Sequence, residues 1–172
     1  MRRIKKTLAF LLALAVLLSA SSCALVRSDL EQMQDTFMDV MEKIQSADRE
    51  GILSLLSREA KELADVENQV DGLISYVSGM MMSSFTRYAN TSFSEDSELK
   101  EYRYCYQFST TGGAYRMYIY EIAGAKGMPE REGIFSIYVI RREEDISNGE
   151  YRGDGMDTPG IHIGLVEWEA EK

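Results

Sequence analysis

The chain has 172 residues, of which 45% are apolar, and this is enough for one globular domain with a hydrophobic core. Its 19 basic and 28 acidic residues give a net charge of −9, which argues against nucleic acid as a partner because a phosphate backbone requires a concentrated basic surface. Two cysteines and one histidine are too few for a structural zinc site. The composition predicts neither a bound metal nor a cofactor.

The N-terminal segment has the pattern of a secretory signal peptide. Residues 1–6 carry four basic side chains and no acidic one, and an unbroken run of eleven apolar residues follows from Leu8 to Leu18. A helix over that run would be about 16 Å long, roughly half the hydrocarbon thickness of a bilayer. A membrane-spanning helix is therefore the poorer interpretation.

Small side chains lead from this run directly into a cysteine, in the order Ser19-Ala20-Ser21-Ser22-Cys23. This order resembles the bacterial lipobox, with Ala20 standing where that pattern prefers leucine. The resemblance implies cleavage after residue 22, a diacylglycerol group on the sulfur of Cys23, and an anchor on the outer face of the cell membrane. The alternative is an ordinary signal peptide that is followed by a cysteine.

Cleavage at this point would leave an acidic domain on a short tether. The removed segment 1–22 carries four basic and no acidic residues, so 15 basic and 28 acidic residues remain and the net charge becomes −13. An anionic membrane surface repels such a domain. We expect residues 23–28 to form the tether, 29–166 a single α+β domain, and 167–172 a C-terminal tail.

Three helices are predicted before the first strand. Apolar residues recur every three or four positions from Asp29 to Ile44, which is typical of an amphipathic helix. Asp48 starts a short second helix that ends near Leu56. A third helix begins between Arg58 and Asp65 and ends at Gly79.

After the third helix the apolar period changes from about 3.6 residues to 2, which indicates strands. Three residues, Thr111-Gly112-Gly113, predict a hairpin turn. Helices followed by an antiparallel meander predict an α+β fold, with two or three helices on one face of a curved sheet of about four strands. The extended segments are Phe85–Phe93, Lys100–Thr110, Ala114–Ile122, Gly133–Arg142 and Ile161–Ile163.

Six short segments form a further pattern, and the resemblance that they carry covers about Asp29 to Ile163. They are the helical Asp-x-x-Gly-Ile-x-x-Leu-Leu-Ser from Asp48, residues 115–120, residues 133–140, Glu143-Glu144-Asp145, Gly153-Asp154 and Pro159-Gly160-Ile161. The pattern resembles a family of uncharacterised lipoproteins of Gram-positive bacteria, a domain of unknown function. The resemblance implies a cystatin-like cone of the nuclear-transport-factor-two type and no known activity. Arg152 and Gly155 depart from the family pattern, so the turn at Asp154 is expected to differ.

Patterns for catalysis and metal binding are weak. Cys105 and His162 would form a nucleophilic pair only if their side chains touched and a third group oriented the base, and nothing in their spacing demands this. Cys105 is expected to be a small buried apolar residue without a disulfide partner. Asp154 and Asp157 do not form a calcium loop. We therefore predict no enzymatic activity.

The tyrosines are the most informative side chains. Along Lys100–Thr110 they alternate with other residues, so they share one face of the strand. High strand propensity favours a core role for them, whereas the need of each buried hydroxyl for a partner favours a pocket. The predicted ligand-binding residues are Tyr104, Tyr106, Tyr118 and Tyr138 as the wall, with Arg152 and Asp154 at the rim.

Two functions of different class follow from these features. The first is a lipid-anchored, non-enzymatic module outside the cell that binds a small ligand or a peptide segment. The alternative is a structural or assembly protein that docks another envelope protein, or a copy of itself, through Met80-Met81-Met82 and Phe85. A hydrolase or isomerase of the kind that other cone folds host rests on fold analogy alone.

Overall fold

The computed structural model describes residues 29–88, 91–145 and 157–164, except the side chains of residues 81–83. The chain divides into two units, Met1–Thr36 and Phe37–Lys172. The described part of the first unit is the beginning of a helix. The predicted signal peptide, Cys23, the tether and the tail lie outside the described residues.

Four helices precede the sheet. They are α1 (29–45), α2 (Arg49–Leu55), α3 (Arg58–Lys61) and α4 (Val66–Tyr76). The Asp48 carboxylate caps α2 by accepting a hydrogen bond from the Gly51 N–H at 2.9 Å, as the sequence predicts. No helix within the described ranges is long and apolar enough to cross a bilayer.

The predicted third helix is two helices, α3 and α4. The chain has to turn between them, because α3 packs on the fifth strand of the sheet while α4 packs on the sixth. Ser57 gives α3 a cap of its own, since its hydroxyl accepts a hydrogen bond from the Ala60 N–H at 3.2 Å.

The sheet is curved and open, and its strands follow the order β1-β3-β4-β5-β6, with β2 also paired to β3. The predicted strand Phe85–Phe93 is divided into β1 and β2, so the described sheet has six strands. The last strand, β6, is parallel to β5, whereas the other pairs are antiparallel. The predicted α+β class is confirmed. The strands are β1 (Met81–Arg87), β2 (Ser92–Glu95), β3 (Leu99–Thr110), β4 (Gly113–Ala125), β5 (Gly133–Arg141) and β6 (Gly160–Ile163).

One face of the sheet, called here the inner face, contacts the helices of the second unit. Phe37 of α1 is fully buried, and its ring stacks on that of Tyr106 with the centroids 4.3 Å apart. The rings of Phe85 and Phe108 lie 5.4 and 5.6 Å from the Phe37 ring. The aromatic side of β3 is therefore a packed core over this part of its length.

Helix α4 fixes the edge strand β6. The Gln69 side-chain carbonyl accepts a hydrogen bond from the Ile161 N–H at 2.8 Å. Gly160 has a φ of +107°, and a Cβ there would come within 2.7 Å of the side chains of Gln69 and Leu63. Only glycine combines this backbone conformation with so close an approach of the helix.

Candidate functional site

The predicted wall of four tyrosines is distributed over the two faces of the sheet. Tyr104 and Tyr106 lie on the inner face and are only 1% and 2% exposed. Tyr118 lies opposite Cys105 and Tyr138 lies opposite Tyr118, so both are on the other face, called here the outer face. The structure therefore brings the tyrosines together in two pairs. The predicted rim residues Arg152 and Asp154 lie outside the described residues.

The inner pair adjoins a buried carboxylate. The Tyr104 hydroxyl donates a hydrogen bond to Glu121 Oε2 at 3.0 Å, and the Glu121 residue is only 8% exposed. Sequence reasoning did not single out Glu121. With Tyr104 already hydrogen-bonded inside a packed aromatic core, this pair stabilises the fold.

Removing single phenol hydroxyls from the inner face tests this assignment. Tyr104→Phe is expected to lower the free energy of unfolding by about 1–3 kcal/mol, because the buried Glu121 carboxylate loses a donor. Tyr115→Phe loses the same atom at a fully buried position, but that hydroxyl has no hydrogen-bond partner within the described residues. Its expected change is within about 0.5 kcal/mol or is a small gain. Urea unfolding of both variants measures the difference, and equal losses would contradict the assignment.

A row of four side chains crosses the outer face from β3 to β6. Its members, in order, are Cys105, Tyr118, Tyr138 and His162. Neighbouring strands are about 4.8 Å apart, so Cys105 and His162 are about 14 Å apart across the sheet and make no hydrogen-bonded pair. Burial raises the pKa of the Cys105 thiol to about 12. This thiol is thus neutral at physiological pH and is not an activated nucleophile.

His162 is expected to make stability depend on pH. Burial lowers the pKa of its ring below 6.5, although the ring Nε2–H donates a hydrogen bond to the Thr158 carbonyl at 3.1 Å. The folded state then binds fewer protons than the unfolded state in the window just below pH 6.5. Stability from this group is complete above that window and is lost as the pH falls through it.

The His162→Gln variant provides the control for that expectation. Glutamine does not titrate, so the variant should lose less stability than the wild type between pH 7 and pH 5. Urea unfolding at several pH values gives both curves. Parallel curves would assign the acid sensitivity of the protein to other groups.

A second group of side chains on the outer face is called here the outer-face cluster, and it comprises Tyr88, Arg116, Tyr118, Tyr138 and Asp145. Arg116 Nη1 lies 2.5 Å from Asp145 Oδ2, and the two side chains are only 10% and 5% exposed. The Tyr118 hydroxyl donates to the same carboxylate oxygen at 3.0 Å. The Arg116 guanidinium also lies over the Tyr88 ring, 4.6 Å from its centroid. A cation, an anion and three aromatic rings thus meet on one face.

The ring of Tyr138 lies beside the ring of Tyr118, whose hydroxyl contacts this ion pair. It stacks on the Tyr118 ring with a centroid distance of 5.7 Å and is partly buried. Tyr118 itself is 4% exposed. Tyr138 is therefore the more accessible member of the outer pair of tyrosines.

A second arginine lies over a tyrosine ring farther along β3 and β4. The Arg103 guanidinium is 4.1 Å from the centroid of the Tyr120 ring and pairs with Asp157 at 2.9 Å. The Tyr120 hydroxyl donates to Glu101 Oε2 at 2.7 Å. Burial raises the pKa of Tyr120 to about 12. Within the described residues, no group of three or more potential ligand side chains is placed to hold a metal ion.

Sequence reasoning missed Arg103 and Arg116, although a signal for both was present. Arg103 lies between two tyrosines and Arg116 between Tyr115 and Met117, and a charged residue in such a strand needs a partner when its face is covered. The acidic run that ends at Asp145 offered one partner. The pairing of Arg116 with Asp145 depends on the turn after β5, which a pattern does not reveal.

A comparison with protein families finds a match to the family described as Domain of unknown function (DUF5104). The match covers residues 39–142, which is more than half of the chain. The chain belongs to the DUF5104 family. The expectation of an uncharacterised family is thereby confirmed. A search of curated proteins gives no match to the chain.

The DUF5104 match includes most of the outer-face cluster. Tyr88, Arg116, Tyr118 and Tyr138 lie inside the matched range, whereas Asp145 follows it by three residues. Strand β6 and His162 also lie beyond the match. In this DUF5104 protein, residues after the family segment thus add the strand β6 to the sheet and supply the anion of the cluster.

Proposed function

We propose that this DUF5104 protein is a lipid-anchored lipoprotein on the outer face of the cell membrane, whose domain binds a small ligand or a peptide segment without transforming it. The observation that carries the binding role is the partly accessible ring of Tyr138 in the aromatic pair on the outer face. The Tyr138 ring is only partly buried, and it stacks on Tyr118, whose hydroxyl is hydrogen-bonded. An aromatic wall beside fixed polar groups suits a ligand that is partly apolar and partly polar.

We propose no chemical step because of the positions of Cys105 and His162, the candidate nucleophilic pair of the sequence. The Cys105 thiol has its pKa raised to about 12 by burial, and His162 lies about three strand spacings away. A general base must reach the proton that it removes. Neither group is placed to activate the other.

The anchor is supported by the sequence alone. Four basic residues, an apolar run of eleven residues and the lipobox-like segment before Cys23 occur in the order that lipoprotein export requires. The test is expression in a bacterium that processes lipoproteins, followed by mass spectrometry of the N-terminal peptide. We expect a diacylglyceryl group on Cys23 and recovery in the membrane fraction, and Cys23→Ser should abolish the lipid. Wild-type protein with an unmodified Cys23 and its leader still attached would overturn the anchor.

Binding is tested on protein purified from its own membrane. Native mass spectrometry should detect a retained small molecule or peptide, and Tyr138→Ala should reduce its occupancy by about tenfold. Phe93→Ala is the matched control, since Phe93 is a 45% exposed ring on β2 that stacks on Tyr102 of the inner face. Equal retention in both variants would remove the outer face from the proposal. A turnover that depends on one side chain would refute the non-enzymatic role.

One observation favours the docking alternative. Met80 is 75% exposed, the highest value among the large apolar side chains of the described residues. Flexible exposed methionine suits an adaptable protein interface. Cross-linking in membranes distinguishes the two functions, because a reproducible protein partner that is lost in Met80→Ser, with no ligand retained at Tyr138, supports docking.

A further inference from the structure

We infer that Arg116 and Tyr118 form a binding site for the carboxylate of an aromatic ligand, which Asp145 fills in this structure. The inference rests on the proposed ligand-binding function and names the chemistry of the ligand. Two donors from one strand, the Arg116 guanidinium and the Tyr118 hydroxyl, converge on a single oxygen of Asp145 at 2.5 and 3.0 Å. A guanidinium and a hydroxyl aimed at one point are the donors that a carboxylate requires.

The occupant comes from a turn, whereas the receptor comes from the sheet. Asp145 follows the end of β5, in a turn closed by hydrogen bonds from the N–H groups of Glu144 and Asp145 to the Arg141 carbonyl. Arg116 and Tyr118 lie in the middle of β4, which is paired on both sides. Since a turn rearranges at lower cost than a central strand, the carboxylate is the part that can be exchanged.

The receptor is also held by contacts that do not involve Asp145. The Arg116 guanidinium lies 4.6 Å from the centre of the Tyr88 ring, and its Nε–H donates to Gln107 Oε1 at 3.4 Å. These contacts keep the cation in place when the carboxylate departs. A preorganised cation binds a new anion with little additional loss of conformational freedom.

Tyr138 is the reason for inferring that the ligand carries an aromatic ring. Its partly buried ring stacks on the Tyr118 ring, whose hydroxyl contacts the carboxylate site. A ring attached to the bound carboxylate would lie against this pair. Offset aromatic stacking then adds to the charge-assisted hydrogen bonds.

The test compares wild-type protein with Asp145→Asn by calorimetric titration of benzoate, with benzamide as the uncharged probe. The tethered carboxylate competes at a local concentration of about millimolar or more. Its neutralisation should therefore tighten benzoate binding by about tenfold and leave benzamide without binding. Tyr118→Phe, added to Asp145→Asn, should weaken benzoate binding by about fivefold because one donor is lost. Equal benzoate affinity in wild type and Asp145→Asn, or equal binding of benzoate and benzamide, would overturn the inference.

Two further measurements address a failure of Asp145→Asn to fold and the source of the ligand carboxylate. If Asp145→Asn does not fold alone, benzoate should restore its melting transition. The inference is overturned if benzamide restores the transition, if chloride at equal ionic strength restores it, or if no probe does. N-acetyl-Gly-Phe and its C-terminal amide form the second pair of probes. Tighter binding of the peptide acid than of benzoate assigns the carboxylate to a chain terminus, and the reverse assigns it to a small molecule.

Failure of this inference is distinguishable from failure of the proposed function. One outcome is that the protein retains an uncharged ligand that depends on Tyr138, while Asp145→Asn has no effect on benzoate binding. This outcome would support binding on the outer face and would reject the inferred carboxylate site. Loss of both results would reject binding on the outer face itself.

Discussion

Arg116→Met is expected to lower the free energy of unfolding by about 3–5 kcal/mol, because it leaves the Asp145 carboxylate buried without its cation. The Arg116 and Asp145 side chains are only 10% and 5% exposed, so water cannot replace the lost partner at low cost. Methionine keeps the apolar part of the side chain and removes the guanidinium that lies over the Tyr88 ring. The loss therefore reports on the contacts of the guanidinium, of which the ion pair with Asp145 is the most buried. Urea unfolding near pH 7 provides the measurement.

Arg58→Met is the matched control for that experiment. Arg58 also has two acidic neighbours, Glu62 at 3.8 Å and Glu130 at 3.4 Å, but its side chain is 63% exposed. Exposed ion pairs contribute about 0–1 kcal/mol, so a change of this size is expected. If both substitutions cost the same, the outer-face cluster is solvated and offers no protected site for an anion.

Local patterns predicted much of this fold because the signals were short-range. The alternation along β3 placed Tyr102, Tyr104 and Tyr106 on one face, where they are indeed buried. Asp48 indicated the start of α2, and its carboxylate forms the cap. In each of these cases the relevant contacts lie within a few residues along the chain or follow the strand period of two.

The position of Tyr118 shows how far such reasoning extends. A turn of three residues, Thr111 to Gly113, would pair Thr110 with Ala114 and place Tyr118 beside Tyr106 on the inner face. The actual turn has two residues, and Thr110 pairs with Gly113. A slip of one residue moves every side chain of β4 to the opposite face. Tyr118 is consequently opposite Cys105, and the aromatic wall becomes two separate pairs.

The outer-face cluster depends on contacts that no local pattern specifies. Arg116 and Asp145 are 29 residues apart, and they meet because β5 returns beside β4 and the turn after β5 folds over the sheet. Pairing of β1 and β2 with the same strand is likewise a tertiary result. The predicted single strand Phe85–Phe93 overlaps only the end of β1 and the start of β2.

Phe37→Ala is expected to lower the free energy of unfolding by about 3–5 kcal/mol, which is the range for removing a buried phenyl ring. Phe37 is fully buried, and the centroid of its ring lies within 5.6 Å of the ring centroids of Tyr106, Phe85 and Phe108. Little of this volume can be refilled, because its neighbours are held in strands. The measurement is urea unfolding, together with binding of benzene or xenon to the cavity that the variant creates.

Phe93→Ala is the control, and it should cost about 1 kcal/mol or less, since that ring is 45% exposed and stacks mainly on Tyr102. A large loss in Phe37→Ala with a small one in Phe93→Ala means that the aromatic side of β3 is filled by the helix, and a ligand must then use the outer face. A loss below about 1 kcal/mol in Phe37→Ala would mean that the helix packs loosely on the inner tyrosines. Tyr104 and Tyr106 would then become the binding wall that the sequence predicts, and the outer-face proposal would lose its main argument.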